Sequence, residues 1–542
     1  MQFKKAMTCA MAIAMVSGCS GTSTDTSSAT STTTTSSTVT IAVTNDMTTM
    51  DSSLVTDGTS FNMISLCQSG LVQYNEEKEL IGDIAESWDI SDDSMTYTFH
   101  LRDAKWSNGE DITANDFVYG FQRLVDPDTG SEYSYFASSV NIENAAECAA
   151  GEKPVEELGV EATDDHTFVV HLSAPCSFFL SCMASPQFLP LNQEYVESQG
   201  DQYALSVDTM IYSGVYTMTE WVQGNSYTFT HNENYWDADN YPQETIVVQC
   251  IQDAQTAMLQ YESGSLDYLD LTGEMVDTYK DTEGYHSTLT ASSWYLCPNM
   301  DDEYLSNANL RKAINYAIDR DTIVNDVLKT GGVALEGLIA TGLVSDSNGT
   351  DFRDISKDMT EYDPEKAQEY YAKAVEELGK DAVIDIVYDD ADDSTKVAEN
   401  VQQMIETNCP GITVTLNGKP KKTRIQLMLS HDFSIGLTKW GPDYADPQSY
   451  LDLFTTGFSM NFGNYSNAEF DALEEEATKG EASTNIDTRL STMAKAEQIL
   501  VEEDTCLMPI YQEGGATLVN PEVEGYFSLV LGTGTWRHLH KA

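Results

Sequence analysis

Alternation and helical spacing divide most of the chain into short, well-punctuated elements. The stretch "TVTIAVTND" (38–46) alternates apolar and polar positions and predicts a first strand. Residues 95–106, "MTYTFHLRDAKW", alternate in the same way, and "HTFVVHL" (166–172) is another short strand. Between them, "TANDFVYGFQRLVD" changes period. Phe117, Phe121 and Leu124 fall on one helical face, Thr113 stands at the N-cap, and Asp116 occupies the third helical position of a capping box. "NLRKAINYAIDRDTIVNDVL" (309–328) predicts two helices joined at "DRD". Leu310, Ala313, Ile314 and Ala317 form the apolar face of the first, and Asp321 caps the second. "YDPEKAQEYYAKAVEELG" (362–379) carries both helix punctuation marks, Asp363 before Pro364 at the start and Gly379 past the end. The strand "AVIDIVY" (382–388), the amphipathic helix "STKVAENVQQMIET" (394–407) and the strand "GITVTL" (411–416) complete an α/β unit. Strands and helices mixed over some 500 residues predict an α/β (mixed α+β) protein, and 542 residues exceed one compact core, so two or three folding units are expected.

The N-terminus has a different character. Lys4 and Lys5 precede the apolar run "AMTCAMAIAMVSG", too short for a membrane span and suited to a secretory signal over residues 1–18. "VSGC" (16–19) resembles a bacterial lipobox, which would make Cys19 the lipidated residue. Residues 19–39 then read as a tether, because a run of Ser and Thr with no large apolar residue buries nothing. This arrangement places the folded body outside the cell, anchored at the membrane.

Charge narrows the partners. The chain has 28 basic and 87 acidic residues, a formal charge of −59. That excludes the clustered Lys and Arg a nucleic-acid partner requires, and it disfavours docking on anionic lipid. Hydrophobic content of 41% is that of a protein with a large interior. Beyond Cys9 and Cys19 there are eight cysteines, an even number in an exported chain, and disulfides are allowed. Cys176 and Cys182 are close enough in sequence to pair or to remain small buried hydrophobes, and the connectivity stays open. No CxxC pair supports a zinc ribbon, and no metal or cofactor is expected.

Catalytic motifs are absent. There is no GxSxG, HExxH, Walker or GxGxxG sequence, and His538 and His540 near the C-terminus have no acidic or Cys neighbour in sequence. An enzyme is therefore not expected. What stands out is "KWGPDYADP" (439–447), which packs Trp440, Asp443, Tyr444 and Asp446 into a few positions. Asp446, directly before Pro447 and the apolar-periodic "QSYLDLF", is assigned to a helix N-cap with Pro at the first helical position. By residue type alone, Asp443 fits either an Asx turn or a binding site.

Several stretches, in order, resemble one family: "AESWDISDDSMTYTFHLRDAKW" continuing to "SEYSYF" (85–136), "SGVYTMTEW" (213–221), "NENYWDADNYPQETI" from 232, "LRKAINYAIDRDTIV" (310–324), "YDPEKAQEYYAKA" (362–374) and "KWGPDYADP". Together they cover nearly the whole body. They are similar to the extracellular solute-binding proteins of family 5, the oligopeptide/dipeptide-binding lipoproteins of peptide ABC transporters. The resemblance implies a periplasmic-binding-protein-like bilobal fold with an additional domain on the first lobe. Lobe one would comprise residues 40–72, 210–290 and 511–542, the extra domain 73–209, and lobe two 291–510. It implies a monomeric, lipid-anchored protein that captures short peptides in an interlobe cleft and delivers them to the ABC permease subunits. It also implies ligand-binding roles: Asp443 as partner of the peptide ammonium, with Trp440, Tyr444, Tyr133 and Tyr135 around it. Packing competes with ligand contact for Tyr444, Tyr133 and Tyr135. Where some members carry an Arg three residues before the Trp, this chain has Leu437, and Gly441 replaces a disulfide Cys. Lys439, Lys421 and Lys422 are the nearby cations, and none stands out as a carboxylate partner. Two alternatives remain open: a cleft for a non-peptide solute (a metal chelate, opine or sugar), and an exported hydrolase or adhesin.

Overall fold

A computed structural model describes residues 38–531 and 535–541. The expected signal, the Cys19 lipidation site and nearly all of the tether lie outside the described residues. Thr38 and Val39, at the end of the expected tether, belong instead to the first strand, Thr38–Val43, where Val39 is fully buried.

One sheet forms the frame. From one edge its strands run Thr413–Lys419, Val383–Asp389, Ile435–Trp440, Tyr285–Pro298, Met508–Val519, Tyr268–Leu271, Thr38–Val43, Thr245–Cys250, Ser226–His231 and Tyr216–Val222. The two long central strands connect its halves. Tyr285–Leu289 pairs with Gly514–Leu518 on the side of Tyr268–Leu271, whereas Ser293–Pro298 pairs with Ile435–Trp440 on the other. The pairing register breaks between Leu289 and Ser293. It breaks again between Trp294 and Tyr295, and such irregularities are where a long strand shared by two halves bends most easily.

The predicted α/β unit is present. Val383–Asp389 and Thr413–Lys419 pair in parallel, with helix Asp392–Asn408 as the crossover between them. Helix Pro364–Leu378 has the expected ends: Asp363 accepts from the Glu365 and Lys366 N–H groups, and Gly379 sits at φ 68°. The 309–328 region forms helix Ala308–Ala317 and a second helical segment from Arg320. There the cap is Asp319, whose side chain accepts from the Thr322 N–H, and not Asp321. The chain turns two residues earlier because Ile318 is extended.

A separate four-stranded antiparallel sheet, ordered Ala85–Ile90, Thr96–Leu101, Thr167–His171 and Val160–Asp164, packs against helix Ala114–Val125. Asp116 closes the capping box, accepting from the Thr113 N–H at 2.7 Å. Phe99, Phe117, Phe121 and Phe168 fill the layer between sheet and helix. All eight described cysteines are free thiols, and Cys176 and Cys182 are both buried. Among the described residues no helix is long and apolar enough to cross a membrane.

Candidate functional site

Strand Ile435–Trp440 is buried over its first four residues and delivers the chain into the loop 441–447. Three fixtures hold that loop. Ser449 Oγ accepts from both the Asp443 N–H at 3.1 Å and the Trp440 Nε1–H at 3.3 Å. Tyr444 is 5% exposed and stacks on Phe178, with ring centroids 4.2 Å apart and planes within 2°. Asp446, 1% exposed, pairs with the buried Arg489 guanidinium while its Oδ1 accepts from the Gln448 N–H at 2.9 Å.

These fixtures revise the expected division of labour. Asp446 does start a helix, but only the one-turn Gln448–Leu451, one residue later than expected, with Pro447 at the cap position. Its main partner is Arg489, distant in sequence and undetectable by local pattern. Tyr444, expected among ligand-binding residues, is spent on packing: its ring joins the core of the four-stranded-sheet region. Trp440 is half-buried, and its indole N–H is committed to Ser449. With its neighbours anchored on both sides, Asp443 presents its carboxylate in a fixed place.

Facing Asp443 is the turn that follows helix Ala114–Val125. The Tyr133 and Tyr135 rings stack with centroids 5.7 Å apart, and Tyr133 also meets Phe61 edge-on at 6.1 Å. Tyr133 and Tyr135 both lie within the field of the Asp443 carboxylate. Burial raises the Asp443 carboxyl above the ordinary carboxylate value, and the neighbouring Tyr135 hydroxyl offsets part of that shift. Among the described residues no cation pairs with Asp443. Lys439 is engaged with Glu513 at 2.8 Å, Leu437 is core, and Lys421 and Lys422 are exposed. Asp443, Tyr133 and Tyr135, distant in sequence, thus form one acceptor-and-aromatic cluster. A partly desolvated carboxylate without a counter-ion favours a cationic guest.

Two cavities of about 280 Å³ each open in the same body, neither lined by Asp443, Tyr133 or Tyr135; the first reaches Ala445, two residues from Asp443. The first is lined by Gln68, Tyr74, Leu343, Ala445 and Val530, residues of connecting segments and of the short Val72–Tyr74 strand. The second lies over the central strands, between Asp270, Thr288, Thr517 and Tyr526. Phe527, Ser528 and Leu529 line both. Sequence patterning offered little to mark this 526–531 segment, which has neither helical nor strand periodicity. It is held in place by the Ala291 N–H donating to the Val530 carbonyl at 2.9 Å.

A mixed α/β frame of two halves joined by long central strands, with a separate four-stranded sheet beside it, is the architecture of a bilobal solute-binding protein of the periplasmic-binding-protein type. The chain belongs to the bacterial extracellular solute-binding proteins of family 5, whose middle-region model matches residues 79–462. It is 32% identical over 506 residues to the dipeptide-binding protein of Lactococcus lactis subsp. cremoris, covering 89% of this chain and 90% of that one. Among solved structures it resembles the substrate-binding domain of an oligopeptide ABC transporter from Bacillus anthracis, with a TM-score of 0.77 at 34% identity, covering 93% of this chain and 99% of that one. It also resembles Listeria monocytogenes OppA bound to peptide, with a TM-score of 0.75 at 31% identity over 93% of this chain and 99% of that one.

Proposed function

We propose that this protein is the peptide-binding subunit of an ABC importer, lipid-anchored through Cys19 on the outer face of the cytoplasmic membrane and acting as a monomer without cofactor or catalysis. The carrying observation is Asp443, a partly desolvated carboxylate on a loop held by its neighbours, beside Tyr133 and Tyr135 and without a counter-ion among the described residues. A peptide's invariant features are its ammonium, its backbone and its carboxylate. A site that reads peptides of many sequences therefore needs one anion for the ammonium and room for variable side chains. Asp443 would supply the first and the two cavities the second. The names of the similar proteins, which bind dipeptides or were solved with peptide, point the same way.

In this reading residues 40–72, 210–290 and 511–542 form lobe one, 73–209 the extra domain and 291–510 lobe two, with the register break at 289–293 as the flexing point. Closure over the ligand creates the surface that the permease subunits recognise. The test is mass spectrometry of ligands released from the purified mature protein. A ladder of short peptides supports the proposal, and a metal chelate or sugar in their place overturns it.

A further inference from the structure

The second cavity contains a charge that the Asp443 site does not use. Asp270 lies on strand Tyr268–Leu271, whose other three residues are buried. Its side chain is accessible through the cavity although protein surrounds it on most sides. Sheet register places it in a row: Asp270 opposes Thr517, and Thr517 opposes His286 on the next strand. The Thr517 hydroxyl donates to Asp270 Oδ1 at 2.9 Å and the Tyr268 hydroxyl donates to the same oxygen at 3.1 Å. Among the described residues no donor reaches Oδ2 and no Lys or Arg pairs with the group. Burial raises the Asp270 carboxyl above its ordinary value, with these two hydroxyls opposing the shift. His286 does not neutralise it: its ring packs against Tyr526 at 4.4 Å, and burial keeps its pKa below the ordinary imidazole value.

The cavity's other walls are neutral: Thr288, Thr290, Ser528, the edge of Tyr526 and Trp536. At about 280 Å³ the space falls just short of the roughly 300 Å³ at which pockets take whole small molecules, so it suits one long side chain. Its wall of Phe527, Ser528 and Leu529 is shared with the first cavity, which Ala445 lines two residues from Asp443. Hydroxyl-rich walls around a single carboxylate suit a long aliphatic stem ending in a charged, hydrogen-bond-donating head. They do not suit an acidic side chain, which would meet like charge with no cation nearby.

Building on the peptide-binding reading, we propose that Asp270 makes this cleft prefer peptides with a basic side chain, Lys or Arg, seated in the second cavity with its cationic head on the Asp270 carboxylate. The acidic excess of the chain, −59 overall, draws the same ligands in by long-range attraction.

Calorimetric titration of the purified mature protein with alanine tri- and tetrapeptides, each carrying one lysine or one norleucine at a defined position, tests the assignment. At one position lysine should bind at least tenfold tighter than norleucine. Asp270→Asn, whose side-chain oxygen still accepts from Thr517 and Tyr268, should erase that ratio while leaving the norleucine peptides within about twofold of wild type. Equal binding of the two series at every position, or a lysine preference that persists in Asp270→Asn, overturns the inference and leaves the peptide-binding reading standing. Should Asp270→Asn fail to fold, Asp270→Ser serves the same comparison, and a lysine preference that survives in it overturns the inference. Failure of every peptide to bind, with the protein folded, overturns both.

Discussion

Replacing Asp446 separates a local role from a tertiary one. Were Asp446 only a helix cap, its loss to Ala would cost about 1 kcal/mol, and Asn would substitute with little change, since Asn and Asp cap equally well. The structure predicts otherwise. Asp446 and Arg489 are 1% and 3% exposed at their side chains, and Asp446 is the carboxylate bonded to Arg489, whose other hydrogen bonds go to the neutral Gln448 Oε1 and Ala477 carbonyl oxygens, both at 3.0 Å. Burial works against the guanidinium's charge, and Asp446 first, with Glu474 after it, more than compensates, leaving the Arg489 pKa above its ordinary value. Removing one partner of a buried pair strands the other, at a cost of roughly 3–5 kcal/mol. Asp446→Asn keeps the Oδ1 acceptor for the Gln448 N–H but discards the charge, so it should lose most of that amount, and Asp446→Ala slightly more. Urea unfolding of the mature protein followed by tryptophan fluorescence measures both. An Asn variant within about 0.5 kcal/mol of wild type would refute the ion-pair argument and restore the cap as the main role.

Three further outcomes follow from neighbouring geometry. Asp452 lies beside this pair, and burial, opposed by the Gln448 hydrogen bond and aided by repulsion from Asp446, pushes its carboxyl from 3.8 to about 6. The folded state therefore holds a proton that the unfolded chain has released, so the contribution of Asp452 to stability falls as pH rises from about 4 to 6. Asp452→Asn should escape that fall, so the two stability profiles diverge across this window and run parallel above it; parallel profiles throughout would contradict the assignment. Asp443→Asn should weaken peptide binding by about 1.5–3 kcal/mol, the worth of a charged hydrogen bond, without lowering thermal stability, because it removes a desolvated charge. A marked loss of stability would make Asp443 structural. Gly514→Ala places a Cβ 2.2 Å from the Gly331 carbonyl carbon beside the central strands, so the backbones must separate. A loss of about 1–3 kcal/mol in thermal unfolding is expected, and an unchanged midpoint would contradict it.

The sequence by itself determined the local elements whose cause is local. The Asp363–Pro364…Gly379 helix, the Thr113–Asp116 capping box and the alternating strands at 38, 96 and 167 stand where their patterns put them. In each case the deciding interactions, a cap bond or one buried face, lie within a few residues. The ordered motifs also made the family legible, and Asp443, Tyr133 and Tyr135 were marked through it. Tertiary structure decided what each marked residue does, because the deciding partner is remote in sequence. Arg489 turned Asp446 from a cap into half of a buried ion pair, and Phe178 is the ring against which Tyr444 packs. Asp270 carried no local signal, since an aspartate on a strand is ordinarily solvated. Only the register that sets it against Thr517, and the return of the 526–531 segment over the sheet, made it the charged floor of a cavity.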